Sequence, residues 1–138
     1  MAISTSFGQF SQRMAIQAKV VTGNAEKAIR RAAVAADTAL VMSTPVDTGR
    51  AKGNWTVAIG SIDETVLQEG FPSGEEAISR GRTVAEGWKL GSGTIFLANS
   101  LPYILPLENG YSAKAPSGMT QFGIAAAVHQ IQNSSLLR

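Results

Sequence analysis

The chain has 138 residues, of which 44% are hydrophobic and 16% charged, with a formal net charge of +2 and no cysteine. That length fits a single domain spanning 1–138, and the apolar content can fill a core beneath a lightly charged surface, with some left for subunit contacts. Without cysteine there can be no disulfide, zinc–thiolate site or cysteine nucleophile, and so small a net charge gives no argument for nucleic acid.

Residues 1–6 read as a loose, flexible arm without a basic-then-apolar signal pattern, with Ser6 as the candidate N-cap of the first helix. Phe7, Phe10, Met14, Ala18, Val21, Ala25, Ala28, Ile29, Ala32, Ala36, Ala39 and Leu40 then recur at helical spacing. Thr22-Gly23-Asn24 interrupts the run, so residues 7–42 form either one long helix with a weak point or a pair of helices. Glu26 and Arg30 are placed for an i,i+4 ion pair. Lys19, Lys27, Arg30 and Arg31 form a basic face, and no aromatic residue interleaves with them to stack on bases. The longest alanine-rich run, Ala32–Ala36, is far below the roughly 20 residues of a membrane span, so a soluble protein made in the cytoplasm is expected.

Pro45 ends the helix, and Asp47-Thr48-Gly49-Arg50 forms a turn in which Asp47 can bond its own backbone and Gly49 can supply a positive φ. Trp55–Ile59 alternates as a strand with Trp55, Val57 and Ile59 on one face. Thr65–Gln68 is a second, weaker strand candidate. Ser73-Gly74-Glu75-Glu76 reads as a capping box opening a helix whose apolar face includes Ala77, Ile78, Val84, Ala85 and Trp88. Thr94–Ala98, bounded by turns, is the best strand in the chain.

The stretch 99–119 holds three of the five prolines and both tyrosines. Pro102 and Pro106 bias Leu101 and Leu105 away from helix and make a stiff apolar elbow, anchored by a buried Tyr103. Two turn signals come after it, at Asn109-Gly110 and Ala115–Gly118. A last helix, 119–132, carries Phe122, Ile124, Val128 and Ile131 as its apolar face, and 133–138 is a short tail. The order predicts an α+β fold: a small antiparallel β-sheet packed with a long N-terminal helix or helix pair, a middle helix and a C-terminal helix.

Asp47-Thr48-Gly49 is also the catalytic triplet of aspartic proteases. There it ends an apolar strand in an all-β fold and shares a proton with a second carboxylate; here it comes after a helix and directly before Arg50. His129, the single histidine, has no identifiable serine partner and reads as a helix-face residue. Asp63-Glu64 and Glu75-Glu76 lack metal-ligand spacing, and Gly91–Thr94 lacks the lysine of a P-loop. No catalytic, cofactor or metal site is expected, and the protein is expected not to be an enzyme.

Two blocks carry a resemblance. Asn99-x-x-Pro-Tyr103-Ile-x-x-Leu-Glu108-x-Gly110-x-Ser, continuing to Ala115, Pro116, Gly118 and Met119, resembles a signature of tailed-bacteriophage neck and minor tail proteins, with Lys114 a departure from the glutamine of some relatives. Pro45-Val-Asp47-Thr48-Gly49-Arg50, with Asn54 and Trp55 trailing, resembles that family's second block, and the two come in the family's order. The resemblance implies a structural virion protein at the head–tail junction, a tail-completion or head–tail connector subunit that assembles into a ring joining capsid and tail. Its partners would be itself, as a hexamer with a dodecamer as the alternative, and neighbouring connector, tail terminator or tail tube proteins. DNA would pass through the ring without sequence-specific binding, and no membrane would be involved. Asp47, Thr48, Gly49, Arg50, Asn99, Tyr103, Glu108, Gly110, Lys114 and Pro116 are the structural or interface candidates, with Glu108 either ending an apolar turn or bridging to a neighbouring subunit. A nucleic-acid-binding protein using the basic helix face is the first alternative, and an aspartic-protease-like protein the second.

Overall fold

A computed structural model describes residues 2–46, 49–70, 72–109 and 118–137, with side chains described from Ser6 onward. The fold is α+β, as the element order predicts. Helix α1 (Ala2–Ser43) leads to a one-turn α2 (Arg50–Gly53), β1 (Trp55–Ile59), α3 (Glu75–Glu86), β2 (Ile95–Asn99), a short α4 (Ile104–Glu108) and α5 (Thr120–Gln132).

α1 is one unbroken helix of 42 residues, ~63 Å long at ~1.5 Å per residue. Gly23 costs helix propensity but does not interrupt the hydrogen-bond ladder, so the expected weak point is not a break. The helix already runs at Ala2, so residues 2–6 are helical where a loose arm was expected, and Ser6 lies inside the helix and is not its cap. Its C-terminal half holds the core positions Ala28, Ala32, Ala33, Ala36, Leu40 and Val41. Its N-terminal part, residues 6–20, is exposed throughout and stands clear of the body.

β1 and β2 pair antiparallel, with Trp55 opposite Asn99 and Ile59 opposite Ile95. Trp55 and Val57 face inward, as their alternation requires. One core cluster gathers Leu40, Val41, Trp55, Ala77 and Met119; a second gathers Ala33, Val57 and Ala85. Gly81 lets α3 approach closely: a Cβ there would meet the Asp37 carboxylate and, at 2.8 Å, Val57 Cγ2.

Four local expectations differ from the structure. Thr65–Gln68 is not a strand, because its backbone is held by a side chain: Asn54 accepts from Leu67 N at 2.6 Å and donates to Leu67 O at 3.0 Å. The capping box at Ser73 does not form; Gly74, at φ 73, is the N-cap of α3, and Ser73 Oγ reaches only Glu75 N, at 3.3 Å. In the elbow, Leu105 is helical despite preceding a proline. Pro106 lies in the first turn of α4, where a helix leaves its N–H groups unpaired in any case. Phe122, Ile124, Val128 and Ile131 lie on the outside of α5. Its inner side is made of small residues: Gly123 is buried, and a Cβ there would meet Leu40 Cγ at 2.8 Å.

Candidate functional site

The two sequence blocks meet in space where α2 leaves the end of α1. Pro45 and Gly49 are both buried, and Gly49 adopts φ 80 and accepts from Gly53 N at 2.9 Å. The positive φ anticipated for this turn is therefore present at Gly49, while Asp47 and Thr48 lie outside the described residues. Arg50 donates to Gln68 Oε1 at 3.0 Å and to Leu67 O at 3.4 Å, binding α2 to the loop after β1. Asn54, 1% exposed, also donates to Arg50 O at 2.8 Å. From the second block, Asn99 donates to Ala51 O at 2.8 Å and accepts from Leu101 N at 3.2 Å. Asn99 therefore works as a tie between the end of β2 and α2. Asn54, which the sequence offers only as the trailing end of a block, ties Arg50 of α2 to Leu67 with three side-chain hydrogen bonds. Its position directly before an apolar strand was the available signal.

Glu108 sits at the end of α4 and caps α5 of its own chain. Its carboxylate accepts from Met119 N at 2.8 Å, from Thr120 N at 3.1 Å and from the Thr120 hydroxyl. Partial burial works to raise its pKa, but the bonds from Thr120 and Met119 outweigh that and hold the carboxyl below its usual range. A carboxylate at a helix N-terminus also meets the positive end of the helix dipole. Of the two readings of Glu108, the local polar one describes these contacts. Glu108→Ala should cost about 1 kcal/mol, the ordinary value of a helix cap. A thermal melt checks it, and an unchanged melting temperature would mean that α5 does not depend on this cap.

Tyr103 is 39% exposed, so the expectation of a buried anchor is corrected; the anchor of the elbow is Leu101, 2% exposed. Tyr103 instead precedes α4 as its N-cap residue. Gly110, Lys114 and Pro116 lie outside the described residues.

Asp37 is the chemical feature that sequence reasoning missed. It is 1% exposed, and among the described residues neither carboxylate oxygen has a hydrogen-bond partner. It faces Gly81 of α3 and Val57 of β1. Burial pushes its pKa from 3.8 up to about 7, against the opposing pull of the Arg80 guanidinium. Arg80 itself is exposed and donates to Gly53 O at 2.7 Å. The signal was present: Asp37 lies four residues from both Ala33 and Val41, on the face of α1 that is buried.

The basic face of α1 is partly committed. Arg30 pairs with Glu26 at 3.3 Å, as its spacing predicts, and donates to Trp88 O at 2.6 Å. Glu26 in turn accepts from Leu90 N at 3.1 Å. An open groove of roughly 560 Å³ runs along α1, lined by Arg30, Arg31, Val34, Thr38, Met42 and Gln130 among others. His129 is exposed beside Asn133 Nδ2, at 3.1 Å. Among the described residues, no group of three His, Asp or Glu side chains could hold a metal ion, and no helix is long and apolar enough to cross a membrane. No protein-family model, curated protein or solved structure matches the chain.

Proposed function

We propose that this chain is a structural virion protein of a tailed bacteriophage, a neck, tail-completion or head–tail connector subunit that assembles into a ring joining capsid and tail. The observation that carries this reading is large apolar surface with no cover among the described residues. Phe7, Phe10, Met14 and Ile16 are between 55% and 68% exposed on the free half of α1. Phe122, Ile124, Val128 and Ile131 are between 44% and 66% exposed on α5. Exposed apolar side chains in this number mark a site of association. The hydrogen bond from Asn99 to Ala51 O, which joins the two blocks, supports reading them as parts of one unit.

On this reading the partners are further copies of the chain, six in a ring by preference and twelve as the alternative, with connector, tail terminator or tail tube proteins above and below. Output is a joined particle rather than a product, and DNA passes through the ring without being read. The triplet Asp47-Thr48-Gly49 stands between a long helix and a one-turn helix rather than at the end of a strand, a poor setting for aspartic-protease chemistry. Arg30, engaged by Glu26 and Trp88, weakens the nucleic-acid alternative.

The test is removal of the protein from the phage that encodes it, read in micrographs of lysates. Filled heads and separate tails are expected. Gly49→Val should give the same failure in a folded chain, since a β-branched residue at φ 80 is strained by about 1–3 kcal/mol. Empty heads, reporting a packaging block, would overturn the connector reading in favour of a nucleic-acid role.

A further inference from the structure

One apolar stripe runs the whole length of α1, and only half of it is covered. Counting back from the body, Ala36, Ala32, Ala28, Ala25, Val21, Ala18, Met14, Phe10 and Phe7 succeed one another at steps of three or four, so they share one face. α5 lies antiparallel along the body half of α1: Gly123 meets Leu40 and Ala36 at one end, and Asn24 donates to Leu136 O at 3.0 Å at the other. Past Asn24 the described residues supply no further cover. Where the stripe is covered its residues are alanines, small enough for close packing. In the bare part, beyond Val21 and Ala18, they become Met14, Phe10 and Phe7, which have the bulk to fill a partner's surface.

The second bare stripe is on α5. Ile124, Val128 and Ile131 fall at i, i+4 and i+7, on an exposed flank of the helix beside the side that packs on α1. The two stripes match in length, since α5 with its 13 residues and the arm from Phe7 to Val20 are each ~20 Å long. They match in charge as well. α5 contains no Asp, Glu, Lys or Arg, and the arm from Phe7 to Val20 contains only Arg13 and Lys19. Depletion of charge is what distinguishes the centre of a protein interface from ordinary surface.

We infer that the arm of one copy docks along the Ile124–Val128–Ile131 stripe of the next copy. This rests on the self-assembling reading above and names the surface it uses. The contact is head-to-tail: each copy gives an arm and receives one, which closes into a ring when the rotation between copies closes. A copy cannot satisfy its own arm. Val128 lies beside the part of α1 between Asn24 and Leu40, so Met14 of the same copy is more than roughly 20 Å further along the helix.

The absence of native cysteine gives a clean test. Met14→Cys and Val128→Cys are placed together in the full chain, both at exposed positions, and the concentrated protein is oxidised. A ladder of disulfide-linked dimers, trimers and larger species is expected, with each single-cysteine chain stopping at dimer. In parallel, Phe10→Glu should keep the helical circular-dichroism signal and melting temperature of the wild type while weakening self-association roughly tenfold or more in sedimentation experiments. Oligomers by sedimentation without a ladder would overturn the docking and leave the assembly reading standing. A dimer that grows no further, its disulfides joining position 14 of one copy to position 128 of the other in peptide mapping, would support the docking and overturn the ring. A wild-type chain that stays monomeric at every concentration would overturn both.

Discussion

Raising the pH from 4 to 8 should destabilise the wild-type chain by about 4 kcal/mol through Asp37 alone, the free energy of moving a carboxyl from 3.8 to about 7. The sign comes from the direction of the shift. Below pH 4 Asp37 is protonated in both the folded and unfolded chains, and the full contribution is present. Between pH 4 and 7 only the folded state holds the proton, so folding takes one up and each step in pH weakens the fold. Above pH 7 both states are ionised and the loss is complete. The cause is the position of the side chain: buried between α1, α3 and β1, against Gly81 and Val57, it has no described donor to stabilise a charge. Arg80, exposed at the rim, offsets only part of the desolvation. Asp37→Asn keeps the shape and removes the titration. The variant should match or fall slightly below the wild type at pH 3, where the acid is neutral in both the folded and unfolded chains and a buried amide gains nothing over it. At pH 8 it should be the more stable of the two by up to about 3 kcal/mol, most of that penalty being removed. Urea melts of both chains at the two pH values measure this. Parallel pH profiles for wild type and variant would show that Asp37 is solvated or paired in solution.

Asp37 also shows where sequence reading runs out. Periodicity identified the face of α1 that packs, but an aspartate among alanines reads as a solvent residue unless its register with Ala33 and Val41 is traced through. The same limit explains the arm and α5. Phe7, Phe10 and Met14 were legible as an apolar stripe, and Phe122, Ile124, Val128 and Ile131 as apolar positions of a last helix. Periodicity says which residues share a face and nothing about what covers it. In α5 the large residues look like the natural core, yet the alanines of α1 let a second helix come close, and close approach selects Gly123 for the inside. The α+β order, the antiparallel strand pair, the Glu26–Arg30 pair and the positive φ at Gly49 were legible because each depends on local chemistry. Thr65–Gln68 and Tyr103 were not. The first takes its hydrogen bonds from Asn54, and the exposure of the second comes from α4, a helix that two nearby prolines concealed.

Trp55→Ala should be the most damaging single change to the fold, costing about 3–5 kcal/mol as a large aromatic removed from a packed core. Trp55 is 5% exposed and packs with Leu40 and Val41 of α1, Ala77 of α3 and Met119 at the start of α5. It therefore joins elements from both ends of the sequence. Its indole is also fully used: Nε1 donates to Thr44 Oγ1 at 2.8 Å, and that hydroxyl donates onward to Leu40 O at 2.6 Å. This short chain of bonds fixes the place where α1 ends and the turn toward Gly49 begins. Two further substitutions separate its parts. Trp55→Phe keeps an aromatic ring in the cluster and loses the hydrogen bond, so it should cost less than the alanine change. Thr44→Val keeps the volume and leaves the indole N–H buried without its acceptor, at about 1–3 kcal/mol. Against the roughly 5–15 kcal/mol of a typical domain, the alanine variant should lower the denaturation midpoint severely or fail to accumulate as folded protein. The ranking alanine, then valine and phenylalanine, then wild type is the measurable result in guanidinium unfolding. A loss under about 1 kcal/mol for Trp55→Ala would mean that the cluster uniting α1, β1, α3 and α5 does not hold the chain together.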